Sequence, residues 1–235
     1  MKNQKFARHL LIIALLLINS TSIAQSRKGV SILGDSYSTF ENFVQPKDNA
    51  LWYVDHPNPA QTDVTDVTQT WWHQVIKDNN LRLVQNNSYS GSTICNTGYG
   101  GHDYSDRSFI TRMENLGSPD MIFIFGATND SWANSPIGEF VWADWTGEQL
   151  KSFRPALTYM LSYLTKRYPN TELLYIINDG LKDEITSSII EACKHYDVPY
   201  LQLKNISKTD GHPNIKGMKQ IAGQVNLAIP YQQKN

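Results

Sequence analysis

The chain has 235 residues, with 21 Lys and Arg against 22 Asp and Glu and a net charge of −1. That length suits one domain of ordinary size, and the near-neutral balance gives no reason to expect nucleic acid or an anionic membrane as partner. Aromatics make up 11% of the chain, including six Trp and twelve Tyr, which suits a dense core or a surface facing sugars.

The first segment reads as a targeting signal. Lys2, Lys5 and Arg8 form a basic start, Leu10 to Ile18 is apolar, and Ser22-Ile23-Ala24 places small residues where a signal peptidase reads them. Residues 1–24 are therefore expected to be a secretory signal peptide, cleaved after Ala24. The apolar run is too short to span a bilayer. No later stretch approaches spanning length, so the mature chain, residues 25–235, is expected to be one exported domain without an integral membrane span. No cysteine follows the apolar run, so a lipid anchor at the cleavage site is not expected. Its destination, periplasm or medium, is left open. Cys95 and Cys193 are far apart in sequence and read as isolated thiols, with a disulfide as the alternative in an exported protein.

Short apolar runs then alternate with helical patterns. Gly29 to Leu33, Leu81 to Gln85, Met121 to Phe125, Glu172 to Ile177 and, more weakly, Val198 to Leu203 predict five strands. Continuously apolar runs of this length fit strands buried on both faces of a parallel sheet. Helices are predicted over Gln69 to Asp78, Asp106 to Leu116, Lys182 to Tyr196 and Pro213 to Leu227. Thr146 with Gln149 resembles a capping box for a further helix running to about Tyr168, where Pro169 and Asn170 stop it. Pro213 would occupy the first turn of the last helix, a position that tolerates proline. The alternation implies right-handed βαβ units and a three-layer α/β/α sandwich.

In such sheets function gathers at the carboxyl ends of the strands. The first strand ends in Gly34-Asp35-Ser36, the second runs into Asn86-Asn87-Ser88-Tyr89-Ser90-Gly91, and the third ends in Gly126-Ala127-Thr128-Asn129-Asp130. Asp210-Gly211-His212-Pro213-Asn214 lies just before the last helix. A serine hydroxyl needs a base to become a nucleophile. Among the histidines, His212 has the setting of a positioned base, between Gly211 and the fixed backbone of Pro213. Ester hydrolysis also needs donors aimed at the developing oxyanion. The Ser36 N–H, the Gly91 N–H and the Asn129 side-chain amide are the candidates.

These four blocks, in this order, resemble the SGNH hydrolase superfamily, also called GDSL esterases/lipases. Gly34-Asp35-Ser36-Tyr37-Ser38 matches the first block, Gly91 the glycine of the second, Gly126 to Asp130 the third with one extra residue, and His212-Pro213-Asn214 the last. The resemblance covers the whole mature chain. It implies a flavodoxin-like fold around about five parallel strands, hydrolysis of esters or thioesters, and no metal or organic cofactor. Two departures stand out. Ser88 replaces an earlier glycine of the second block, which touches loop geometry. The family's usual acid lies three residues before the histidine, where this chain has Thr209, while Asp210 lies two before. Asp210 is expected to orient His212 with its carboxylate, a backbone carbonyl being the alternative.

Two stretches fall outside the motifs. Phe40 to Thr70 is long for a connection, and such loops are often functional. It carries Trp52 and Tyr53. Ser131 to Trp145 follows the third block and carries Trp132, Trp142 and Trp145. Trp52, Tyr53 and Trp132 are the candidate substrate-binding residues. Asp55, His56, Asp63, Asp66 and His73 match no metal-binding spacing, so no metal is expected. Export, size and the aromatic loops, together with the resemblance, favour an O-acetyl esterase acting on a small-molecule or polysaccharide ester. A lipid esterase, lysophospholipase or thioesterase is the runner-up, and a non-catalytic carbohydrate-binding protein a further alternative.

Overall fold

A computed structural model describes residues 27–229. The expected signal peptide lies outside these described residues. Among them, no helix is long and apolar enough to cross a membrane.

Five parallel strands form the sheet: β1 (Gly29–Gly34), β2 (Arg82–Ser88), β3 (Met121–Gly126), β4 (Glu172–Ile177) and β5 (Tyr200–Gln202), in the order β2-β1-β3-β4-β5. This is the flavodoxin-like order, in which the chain reverses its direction of winding between β1 and β3. β1 and β3 are buried along their whole length; β3 is unbroken apolar, and the one hydroxyl in β1, Ser31, donates to the Leu116 carbonyl at 2.7 Å. Side chains alternate between the two faces. Leu33, Ile122 and Ile124 pack into one core with helices α2 (Phe109–Arg112), α4 (Phe153–Arg167) and α5 (Asp183–His195). Val30, Ile32, Phe123 and Phe125 pack into the other, against α1 (Trp71–Asp78) and α6 (Ile215–Ala228). The three layers are those expected from sequence.

Three helix boundaries differ from the sequence reading. The capping box does form, with Thr146 N–H on Gln149 Oε1 at 2.9 Å and Gln149 N–H on Thr146 Oγ1 at 3.4 Å, but it leads only into the short turn Gln149–Lys151. Ser152 is extended, and α4 starts afresh at Phe153 because the Phe153 and Arg154 N–H groups go to the carbonyls of Pro136 and Ile137. The predicted helix over Asp106 to Leu116 shrinks to the four residues of α2. There the Asn87 amide donates to the carbonyls of Arg112 and Asn115, both at 3.0 Å, and the chain leaves the helix in a tighter turn in which the Arg112 carbonyl accepts the Asn115 N–H at 3.0 Å. Pro213 is not in the last helix. His212–Pro213 (β7) pairs antiparallel with Lys208–Thr209 (β6), and α6 starts at Ile215 with Asn214 as its cap, accepting the Gly217 N–H at 3.0 Å. The sequence reading also missed α3 (Thr128–Ala133), which follows β3 after the single residue Ala127.

Candidate active site

β1 delivers the serine. Its last residue, Gly34, faces Ser88 and Ser38 so closely that an added Cβ would sit 2.5 Å from Ser88 Oγ and 2.7 Å from Ser38 Cβ. Only glycine permits that approach. Ser88 thus fills the space beside Gly34. The chain then tightens into a turn, Ser36–Ser38, capped by the Asp35 carboxylate, which accepts the Tyr37 N–H at 3.0 Å.

The hairpin β6–β7 delivers the histidine. His212 Nε2 lies 2.9 Å from Ser36 Oγ, and Nδ1 lies 3.0 Å from the backbone carbonyl oxygen of Asp210. A carbonyl can only accept, so Nδ1 carries the proton and Nε2 offers its lone pair to the Ser36 hydroxyl. Burial pushes the His212 imidazole down to about 4, only partly offset by Asp210, so it is a neutral base at pH 7.

The expectation for Asp210 needs correction. Its backbone, not its carboxylate, meets the imidazole, and its side chain is exposed to solvent. With Asp210 in the left-handed region at φ 47°, the carbonyl turns toward the ring while the side chain points elsewhere. Thr209, at the family's usual acid position, accepts the Asn214 amide at 3.3 Å.

Tyr53 is also corrected. It is fully buried and its hydroxyl donates to the Pro213 carbonyl at 2.8 Å, so it has no face for a ligand. Tyr37, missed from sequence, donates to the Gly211 carbonyl at 2.6 Å. The two hydroxyls hold the peptides on either side of His212. Trp52 lies against the imidazole, with ring centroids 3.5 Å apart and planes 11° apart. Trp132 meets the imidazole edge-on at 5.7 Å and is 42% exposed, so it alone of the three aromatic candidates presents a broad open surface.

The oxyanion candidates come from the ends of β1, β2 and β3. Among the described residues no acceptor takes the Ser36 or the Gly91 N–H. Gly91 has φ 84°, and a Cβ there would meet nothing within 4 Å, so conformation rather than crowding calls for glycine. Asn129 is 2% exposed. Its amide donates to the Ser92 carbonyl at 3.0 Å and its Oδ1 accepts the Tyr99 hydroxyl at 2.8 Å. Those bonds fix which way the amide faces and leave its second N–H uncommitted.

Beneath the site lie groups with no signal in the sequence. Arg112 is buried, with Nη2 on the Gly34 carbonyl at 3.0 Å and on Ser92 Oγ at 2.9 Å, Nη1 on the Asn87 carbonyl, and Nε on the Arg107 carbonyl at 2.8 Å. One guanidinium therefore ties the ends of β1 and β2 to the Gly91–Ser92 loop, at the cost of a pKa pushed down to about 9 by burial. An arginine on an amphipathic helix is ordinarily solvated, and nothing in its spacing marked this one. Burial also pushes Asp35 and Asp130 up to about 7. Asp130 accepts the Ile94 N–H at 2.8 Å and so shapes the loop after β2.

Acidic residues of the loop between β1 and α1 have structural work. Asp63 accepts the Ile215 N–H at 2.8 Å and Asp66 caps the turn before α1. Among the described residues no group of three or more His, Cys, Asp or Glu could hold a metal ion. Cys95 and Cys193 are buried free thiols. Trp142 stacks on His195 at 3.9 Å, and the Trp145 indole N–H donates to Thr158 Oγ1 on α4 at 3.0 Å, so both pack the loop onto the body.

A flavodoxin-like sandwich with a serine, a neutral histidine and backbone donors gathered where its winding reverses defines an ester hydrolase. The model of the GDSL-like lipase/acylhydrolase family matches residues 28–229, and the chain belongs to that family. Among solved structures, it is similar to a protein from Bacteroides ovatus assigned as a GDSL-like lipase, with 57% identity over 86% of this chain and 98% of that one and a TM-score of 0.85. A second such protein, from Bacteroides uniformis, is 49% identical over 87% and 96% of the two chains, with a TM-score of 0.85. An acetyl xylan esterase from Butyrivibrio proteoclasticus shares the fold, with 18% identity over 86% of this chain and 63% of that one and a TM-score of 0.53. No curated protein matches the chain.

Proposed function

We propose that the protein is an exported esterase that removes acetyl groups from carbohydrate through an acyl-enzyme on Ser36. The observation that carries the catalytic part is the 2.9 Å contact between Ser36 Oγ and His212 Nε2, with Nδ1 held by a carbonyl. In the first half-reaction Nε2 takes the hydroxyl proton while Oγ attacks the ester carbonyl. The developing oxyanion would meet the Ser36 and Gly91 N–H groups and the Asn129 amide. The imidazolium then gives its proton to the departing sugar oxygen. In the second half-reaction water enters, His212 takes its proton, acetate leaves and Ser36 recovers its hydrogen. No step calls for a metal or an organic cofactor.

Two observations support the carbohydrate part: the exposed Trp132 beside His212 offers an apolar face to a sugar ring, and an acetyl xylan esterase is built on the same fold. Export rests on the signal-like residues 1–24. The test is a chain-length series of nitrophenyl esters beside a panel of acetylated glycans, run with wild type and Ser36→Ala. Preference for acetyl and for glycans, lost in Ser36→Ala, supports the reading. Preference for long acyl chains would move the enzyme to lipid esters or thioesters. Glycan binding with no hydrolysis would make it a binding protein.

A further inference from the structure

His212 lacks the carboxylate that ordinarily stabilises an imidazolium in serine hydrolases, yet one side of its ring is fully covered. We infer that Trp52 fills that role as a positioning residue: its indole fixes the plane of the His212 imidazole and stabilises the imidazolium formed as Ser36 loses its proton. The inference rests on the esterase reading above and deepens it.

Three observations carry it. The rings are in face-to-face contact, with centroids 3.5 Å apart and planes 11° apart. A cation on an aromatic face is attracted by the negative π cloud, most strongly for tryptophan and most strongly where water is excluded. His212 is 6% exposed. The attraction grows when the ring becomes charged, so it acts on the transition state more than on the resting enzyme. Second, Trp52 is tied to the nucleophile turn. Its backbone N–H donates to Thr39 Oγ1 at 3.0 Å, and that hydroxyl donates to the Ser36 carbonyl at 3.0 Å. The indole, the serine and the histidine are thus held by one short chain of contacts. Third, the neighbouring charges supply only part of what is missing. Lys208 is paired with Asp179 and acts against a positive imidazole, the Asp210 carboxylate favours it from solvent but by less than burial disfavours it, and Tyr37 approaches it as a tilted ring at 5.3 Å.

Trp52 therefore serves the histidine with the very face that a sugar platform would need. The experiment compares wild type, Trp52→Leu and Trp52→Phe on nitrophenyl acetate, which has no sugar to stack. Leucine keeps apolar cover without a π face. Trp52→Leu is expected to lower kcat about tenfold with KM within about twofold, and to move the acid limb of kcat/KM to lower pH. Trp52→Phe should recover most of both. Proton NMR of the wild type should show the His212 Cε1–H shifted upfield by the indole, whether or not the leucine variant folds. Equal kcat in all three proteins or an unshifted His212 proton would overturn the inference and leave the esterase reading standing. No Ser36-dependent turnover in the wild type would end both.

Discussion

The proton on His212 Nδ1 ends on the carbonyl oxygen of Asp210, 3.0 Å away, while the Asp210 carboxylate is out in solvent. A backbone acceptor sets the tautomer as a carboxylate would, but it brings no full negative charge. Asp210→Asn should therefore leave kcat within about threefold of wild type, where loss of a true triad acid costs about 10⁴. Asparagine is the right probe because residue 210 sits at φ 47°, a conformation that asparagine tolerates and alanine does not. Steady-state kinetics on nitrophenyl acetate decide it, and a fall of a thousandfold or more would restore the carboxylate to the mechanism.

The same burial sets the pH dependence. Desolvation disfavours the charged imidazolium, which lowers the His212 pKa from 6.5 to about 4. The base form of the free enzyme therefore persists well below neutrality, and kcat/KM should hold through pH 6 and fall only as pH approaches that value. A pH–rate profile from pH 3.5 to 8 checks this. A midpoint at or above 6.5 would contradict it.

Tyr53 was expected to meet substrate and instead holds the Pro213 carbonyl from inside the core at 2.8 Å. Tyr53→Phe leaves that carbonyl without its partner and should cost about 1–2 kcal/mol of stability. KM for acetylated glycans should change by less than about twofold, because the ring stays where it was. Urea unfolding beside glycan kinetics separates the two roles, and a large rise in KM at unchanged stability would return Tyr53 to the substrate.

Asp35 gives a stability prediction with a definite sign. Its folded pKa of about 7 lies above the ordinary 3.8 because the carboxyl is fully buried, with one oxygen unpartnered. Folding thus favours the protonated form. The associated stability is complete below pH 3.8 and is lost as pH rises through 7. Asp35→Asn keeps an oxygen to cap the Tyr37 N–H and removes the titration. Relative to wild type it should gain on the order of 1–3 kcal/mol more at pH 8 than at pH 4. Denaturant unfolding at the two pH values measures the difference, and equal effects at both would show that Asp35 does not titrate abnormally.

Much of this architecture was legible in the residues. Unbroken apolar runs such as Met121 to Phe125 announced strands covered on both faces, and three strand ends plus one pre-helical turn announced the polar clusters. Local pattern could not say where backbone groups find partners from afar. The helix expected over Asp106 to Leu116 is reduced to Phe109–Arg112, its end tied to β2 by Asn87, whose amide donates to the Arg112 and Asn115 carbonyls. The Thr146 box leads into a short turn rather than a helix because α4 spends its first N–H groups on Pro136 and Ile137. The candidate residues with recognisable neighbours, Ser36, Gly91, Asn129 and His212, carry a signal in the sequence. Arg112, Tyr37 and Tyr99 do not, because their importance lies in a single long-range hydrogen bond or a few of them. The fate of the Asp210 side chain turned on one backbone dihedral, which no residue count contains.

The pairing of Ser36 with His212 is tested most directly by a fluorophosphonate probe, read by intact mass and peptide mapping. The expected result is one adduct per chain, on the peptide containing Ser36, with labelling abolished by Ser36→Ala and strongly slowed by His212→Gln. Enzyme that still hydrolyses nitrophenyl acetate after Ser36→Ala, or an adduct mapped to another residue, would contradict it.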